Sequence, residues 1–227
     1  KKKIDLRGSI AAIQAVPGLV WLIAFTTFNN LVGGVFMALM DPYGLTLFSV
    51  EWWGTVLGIT STGFIVGGAL VAKKGLGKNP VRSLLLANIA VGIVSLIFVL
   101  REWWLLYAVG IFAYMCIFPI VEAAEQTIIQ RVVPLARQGR VFGLAQAVES
   151  ASSPISAFMI APIAQFWLIP YMRSDAGKST FGWLLGSGQA RGIALVFILA
   201  SLLMLAVVYL AFRTRAYREL SRAYQQS

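Results

Sequence analysis

Six long apolar stretches constrain what this chain of 227 residues can fold into, and cationic residues separate them in an alternating pattern. Fifteen of the nineteen Lys and Arg residues fall in four segments, which span residues 1–7, 73–82, 131–140 and 213–222. The other four occupy the alternate gaps and are Arg101, Arg173, Lys178 and Arg191. Short loops that stay on the cytoplasmic side of a membrane are rich in Lys and Arg. The pattern therefore predicts an all-α integral membrane protein with six spans in the cell membrane and both ends in the cytoplasm.

Each apolar stretch is long enough for a helix that crosses a hydrocarbon core of about 30 Å, which takes about 20 residues. The predicted spans are 16–40, 52–71, 81–100, 104–125, 141–169 and 192–212. Residues 1–15 form a cytoplasmic lead-in to this bundle, and residues 213–227 form a basic, amphipathic tail that we expect at the inner surface. With three spans per half, the second half begins on the opposite side of the membrane. This order predicts a 3+3 bundle of inverted repeats.

Composition excludes several classes of protein. With 59% hydrophobic and 12% charged residues, the chain is too apolar for an ordinary soluble domain. The net charge of +10 lies in the loops beside apolar spans, where it suits anionic lipid headgroups better than nucleic acid. The sequence contains no His, which excludes His-dependent catalytic triads and imidazole metal sites. We therefore expect a partner in the lipid bilayer, no nucleic acid, no metal, no cofactor and no enzymatic activity.

Glu149 is the strongest candidate for chemistry. If its helix enters the membrane near Arg140, nine residues at 1.5 Å each place Glu149 about 13 Å deep. An ionised carboxylate at that depth costs roughly 2.5–3.5 kcal/mol, and protonation relieves the cost. A proton-coupled carrier needs a carboxyl group that is protonated in one state and releases the proton in another. The alternative is a structural Glu that is hydrogen-bonded to a neighbouring helix.

Polar and aromatic residues at helical spacing predict a cavity around Glu149. Gln146, Ser153 and Ser156 share its helical face, since they are separated from one another by three or four residues. The residues that we expect to line a substrate cavity are Thr26, Asn30, Tyr107, Tyr114, Gln146, Ser153 and Ser156. Interhelical hydrogen bonding and plain packing are the alternative roles for these side chains. The third and sixth spans carry few polar residues, so we expect them at the periphery.

A second polar group lies near the predicted inner boundary of the membrane. Glu122 follows about 27 Å of helix from Trp104, which brings it close to the basic residues of the inner loops. The candidates for this cytoplasmic network are Lys73, Lys74, Glu122, Glu125, Gln126, Arg131 and Arg140. An ion-pair network of this kind either holds helix ends together or acts as a gate.

Two stretches carry a family resemblance. Residues 67–78, GGALVAKKGLGK, are similar to a glycine-rich basic loop, and residues 119–149 include EAAEQTIIQ from Glu122 and QGRVF from Gln138. The chain resembles the C-terminal six-helix half of a major facilitator superfamily transporter, particularly the multidrug-efflux and macrolide-efflux-like branch. Ala72 stands where the family often has Asp in the loop between the second and third helices of a half.

The resemblance implies half of a twelve-helix carrier that works by alternating access and is driven by the proton gradient. Its first and fourth helices would line the central cavity, and its second and fifth would meet the N-terminal six-helix half, in the same or a separate chain. The function that we predict is secondary active, proton-coupled export of amphipathic, drug-like small molecules. The alternatives are a carrier for a metabolite or a siderophore, the membrane domain of an ATP-driven transporter, and a membrane assembly protein that transports nothing.

Overall fold

The computed structural model describes residues 6–185 and 189–226, and the regular elements in these ranges are all helices. Lys1, Lys2 and Lys3 of the predicted lead-in lie outside the described residues. The helices are α1 (Leu6–Gln14), α2 (Leu19–Leu47), α3 (Val50–Lys74), α4 (Pro80–Ile97), α5 (Trp104–Val132), α6 (Leu135–Ile163), α7 (Ile169–Arg173), α8 (Asp175–Leu185), α9 (Gln189–Arg213) and α10 (Arg215–Gln226). A π-helical segment, Ala164–Leu168, connects α6 to α7 just after Pro162.

Six helices within the described residues are long and apolar enough to cross a membrane. They are α2, α3, α4, α5, the continuous rod from Leu135 to Arg173, and α9 from Ala190. The chain is therefore a multi-pass membrane protein with an all-helical fold. Its helices continue past several of the predicted spans. For example, α5 runs on to Val132, beyond the predicted end of the fourth span at residue 125, and α6 begins at Leu135, before residue 141.

The six spanning helices pack in the order α6, α2, α9, α4, α5 and α3, so that α6 and α3 lie at the two ends of the series, although the rod that continues α6 also packs on α9 through α7. Burial follows this order. Within the most apolar window of each helix, the buried share is 44% for α4 and 50% for α9, but only 17% for α3 and 11% for the rod that contains α6. The expectation that the third and sixth spans are peripheral is wrong within this chain. Their apolar surfaces pack against each other and against α5 and α2 in the middle of the series.

Glycines permit the closest contacts between helices. Gly34 of α2 lies directly against the backbone of Ser153 and the hydroxyl of Ser156 on α6. Gly63 and Gly67 of α3 meet the backbone of α5 between Phe112 and Cys116 in the same way. A side chain at any of these glycines would overlap the neighbouring helix, so the absence of a Cβ sets the distance between the helices.

The C-terminal helix α10 lies across the end of the bundle that carries most of the Arg and Lys residues. Its Leu220 and Ser221 are buried, and the side-chain amide of Asn79 donates to Ser221 Oγ at 3.3 Å. The guanidinium of Arg131 sits 5.6 Å from the centre of the Tyr224 ring. The predicted amphipathic tail therefore packs its apolar face on the bundle, next to the starts of α2 and α4 and the end of α5.

Gly34 and Gly33 provide a matched test of the close approach of α2 to α6. A methyl group at position 34 would overlap α6, whereas at position 33 it would meet no atom within 4 Å. Both changes to Ala bring a similar gain in helix propensity, about 1 kcal/mol. We expect Gly34→Ala to be less stable than Gly33→Ala by about 1–3 kcal/mol because of overpacking. Thermal unfolding in detergent measures the difference, and equal unfolding temperatures would show that α6 moves aside without cost.

Candidate functional site

A concave cavity of about 230 Å³ lies inside the bundle, with walls from α2, α3, α4, α5, α6 and α9. It contains most of the residues predicted for a substrate site, together with acidic residues that we had assigned to an inner network. The predicted residues that line it are Asn30, Tyr114, Glu122, Glu125, Gln126, Gln146, Glu149 and Ser153. The rest of its lining is largely apolar and aromatic, as is usual for sites that bind small organic molecules.

Glu149 is buried in this wall and is held by α2. Its side chain is 6% exposed, and Thr26 Oγ1 lies 2.5 Å from Glu149 Oε1. The same hydroxyl is farther from the carbonyl oxygen of Leu22, at 3.1 Å. Since a hydroxyl has one proton, the shorter contact is the one in which Thr26 donates to the carboxyl group. Thr26 therefore does not line the cavity, and its role is to hold the Glu149 carboxyl group in place.

Glu125 of α5 joins this contact from the opposite helix. Its carboxyl group lies close enough to Glu149, Thr26 and Glu122 to interact with each of them electrostatically. Two neighbouring carboxyl groups in a site of low polarity are costly to ionise together. We call Glu125 and Glu149 the carboxyl pair. The sequence had placed Glu125 in a network at the helix end, whereas the structure brings it to Glu149.

The remaining predicted residues fall elsewhere. Ser156 donates to the carbonyl oxygen of Ser153 at 3.0 Å and packs against Gly34, outside the cavity lining. Tyr107 is fully buried and donates to the carbonyl oxygen of Met40 at 2.8 Å.

Four predicted cationic residues lie apart from the acidic side chains in the cavity lining. Lys73 and Lys74 are exposed in the last turn of α3, and Arg131 contacts Tyr224. Arg140 lies beside Gly8 and Ala11 of α1.

An aromatic cluster closes the cavity on the side away from the basic end. We call it the aromatic plug, and it consists of Phe36, Tyr43, Trp53, Phe98, Tyr107 and Phe197. Phe36 stacks on Phe197 with ring centres 4.9 Å apart, and its ring centre lies 6.2 Å from that of Tyr114 in the cavity wall. Of the two tyrosines predicted to line the cavity, Tyr114 does so, whereas Tyr107 belongs to the aromatic plug.

Arg191 seals the bundle beyond the plug. Its side chain is 2% exposed, and its Nε donates to Glu102 Oε1 at 2.6 Å. Its Nη1 donates to the carbonyl oxygen of Val99 at 3.2 Å. These bonds tie the start of α9 to the link between α4 and α5. Sequence reasoning treated Arg191 only as one of the cations in an outer gap, and neither its burial nor its partner Glu102 was evident.

Sequence reasoning also missed two hydroxyls at the back of the cavity. Ser95 of α4 and Ser201 of α9 belong to the lining, and both are almost fully buried. Neither hydroxyl has a hydrogen-bond partner among the described residues.

Comparisons with protein-family models, with curated proteins and with solved structures each gave no match to this chain. The geometry of the cavity is thus the basis for any functional assignment.

Thr26 and Thr27 are adjacent on α2 and allow a test of the bond to Glu149. Thr26→Val keeps the shape of the side chain and removes the donor from a buried carboxyl group, which we expect to lower stability by about 1–3 kcal/mol. Thr27 Oγ1 is buried without a partner in the described part of the chain, so Thr27→Val loses no hydrogen bond. Thermal unfolding of both variants in detergent measures the effect. A Thr26→Val protein as stable as Thr27→Val would contradict a supporting role for this bond.

Proposed function

We propose that this chain is one six-helix half of a proton-coupled secondary transporter of the major facilitator type, which exports amphipathic organic compounds by alternating access. The observation that carries the proposal is the carboxyl pair, Glu125 and Glu149, in the wall of a cavity within membrane-spanning helices. Ionisable groups at such positions are costly and mark ion and substrate pathways. A pair that holds one proton and faces a ligand cavity provides a direct means of coupling the two.

The helix packing supports the 3+3 arrangement. The first helix of each triplet packs on the second helix of the other, as α2 does on α6 and α5 on α3. The third helix of each triplet packs on the first helix of the other, since α4 contacts α5 and α9 contacts α2. Swapping the triplets α2–α3–α4 and α5–α6–α9 leaves this set of contacts unchanged, as expected for repeats related by a twofold axis.

The exposed apolar surfaces at the two ends of the series support a second six-helix half. On α3, Ile59 and Ile65 are largely exposed, and on α6 Phe158 and Met159 are as well. These helices flank the cavity through Phe64 and Gln146, so a partner bundle that contacts both would complete its walls. The partner would be the N-terminal half of the carrier, in the same or a separate chain.

The charges around the cavity favour a cationic or neutral substrate. Glu122, Glu125 and Glu149 line it, and no Lys or Arg does so among the described residues. A cation that enters favours the ionised form of the carboxyl pair, and the shared proton leaves. Reprotonation on the other side of the membrane removes the negative charge and releases the cation. Each molecule exported is thereby exchanged for a proton that moves down its gradient.

The state described here is closed by the aromatic plug on one side, and the cavity lining extends towards the basic end through Gln126, Ile129 and Phe142. If the basic end is cytoplasmic, as the Lys and Arg distribution predicts, this is the state that loads substrate from the cytoplasm.

Transport of a fluorescent cation tests the proposal. Inverted membrane vesicles that contain the complete carrier should take up ethidium when a proton gradient is applied. We expect Glu149→Gln and Glu125→Gln each to lower gradient-driven uptake at least tenfold, because an amide cannot release a proton. Glu51→Gln is the matched control, since Glu51 is exposed in the first turn of α3 and lies outside the cavity lining.

The outcomes separate the parts of the proposal. Uptake that both substitutions leave intact, at equal expression, would rule out the carboxyl pair as the coupling site. Uptake that needs no gradient would contradict secondary active transport. If ethidium is not transported but an organic metabolite is, in a way that depends on the gradient and on Glu149, the chain is a transporter with a different substrate.

A further inference from the structure

Ser95 and Ser201 differ from most hydroxyl residues of this bundle, and unlike Thr27, whose hydroxyl also lacks a partner among the described residues, they line the cavity. Within membrane-spanning helices, Ser and Thr hydroxyls usually donate to a carbonyl oxygen one turn earlier, as Ser61 does to Leu57 at 2.7 Å and Ser152 does to Glu149 at 2.6 Å. Ser95 and Ser201 make no such bond and have no other partner among the described residues. A buried hydroxyl without a partner costs about 1–3 kcal/mol, so some group outside the described chain is the natural partner for each.

Ser95 and Ser201 line the cavity from α4 and α9, two helices that pack against each other. Gly92 lies one turn before Ser95 and also lines the cavity, and a Cβ built on Gly92 would be 3.6 Å from the carbonyl oxygen of Ser201. The side-chain oxygen of Asn88, one turn before Gly92, is also buried without a hydrogen-bond partner in the described residues, but it lies outside the cavity lining. We call Ser95 and Ser201, together with Gly92 of α4, the hydroxyl patch.

The hydroxyl patch and the carboxyl pair are on different helices of the same cavity. The carboxyl pair is carried by α5 and α6, and the patch by α4 and α9. Phe36, Tyr114 and Met204 are among the residues that complete the wall with apolar and aromatic surface. One site therefore offers negative charge, an aromatic surface and a pair of neutral hydrogen-bonding groups.

We propose that the hydroxyl patch is a second polar subsite of the transporter, which binds a hydroxyl or carbonyl group of a substrate whose cationic centre lies at the carboxyl pair. The inference rests on the proposed function, because it takes the cavity to be the substrate site. It names the substrate class more closely as an aromatic organic cation that also bears an uncharged oxygen group. An oxygen atom of the substrate would be the hydrogen-bond partner that the two serine hydroxyls lack. A ligand without such an oxygen leaves both hydroxyls unpaired.

Binding of matched cations tests the subsite. The probes are benzyltrimethylammonium and its 3-hydroxy and 4-hydroxy derivatives, which share the charge and differ by one hydroxyl group. They would be titrated by calorimetry into the complete protein in lipid nanodiscs. We expect at least one hydroxylated cation to bind about three- to tenfold more tightly than benzyltrimethylammonium, which corresponds to one net hydrogen bond.

Substitutions then assign the preference to the patch. Ser95→Ala combined with Ser201→Ala should abolish the preference and leave the affinity for benzyltrimethylammonium unchanged. The double variant should be at least as stable as the parent to heat, because it loses no hydrogen bond within the described chain and no longer buries two unpaired hydroxyls. Thr62→Ala is the matched control, since Thr62 is exposed on α3 and its hydroxyl bonds to the carbonyl oxygen of Ile59 at 2.7 Å.

Failure of the subsite and failure of the proposed function give different results. If benzyltrimethylammonium binds, loses affinity in Glu149→Gln, and neither hydroxylated cation binds more tightly, the subsite is wrong and the cation site stands. A preference that persists in the double Ser variant likewise overturns the subsite. If none of the three cations binds, the result contradicts the cation site and the subsite together.

Discussion

The close approach of α2 to α6 is the contact on which the candidate site depends. Gly34 has no side chain to hold the helices apart, and Ser153 and Ser156 of α6 fill the space opposite it. At this separation Thr26 reaches Glu149, and the carboxyl group is fixed at the cavity wall. The equivalent contact between α3 and α5, through Gly63 and Gly67, positions the other wall. Small residues at two helix pairs thus determine where the polar side chains of three helices can meet.

Once the helices are at these distances, electrostatics determines what the site can do. An isolated ionised carboxylate inside a bilayer is costly, and two in contact are more so. In the proposed function, a proton held between the two carboxyl groups lowers this cost and leaves a group whose charge responds to a ligand in the cavity. The absence of Lys and Arg from the lining, among the described residues, matters here, because a fixed cation beside the pair would form a salt bridge and remove that response.

Some of this arrangement was predictable from the sequence and some was not. Six membrane helices follow from the lengths of the apolar stretches, because backbone groups in lipid must be bonded within a helix. Glu149 was identifiable because a carboxylate deep in an apolar stretch is rare. Its contact with Glu125 was not predictable, since it depends on the tilt and spacing of α5 and α6. Ser95 was missed for a related reason: a helix with few polar residues was assumed to face lipid, but packing α4 against α9 buries those few.

The sealed end of the bundle limits how the cavity can open. Arg191 carries a charge that is almost fully buried, so removing it from Glu102 and Val99 would leave an uncompensated cation. These bonds join α9 to the link between α4 and α5, and the aromatic plug packs beneath them. The middle of the helix series is therefore fixed at this end. The rod that continues α6 is held at this end too, because α7 packs on α9 with Ile169 against Gly192, and α3 contributes Trp53 to the plug. Access from that side therefore requires Trp53 to separate from Tyr107 or α7 to separate from α9, in addition to any loss of the Arg191 bonds.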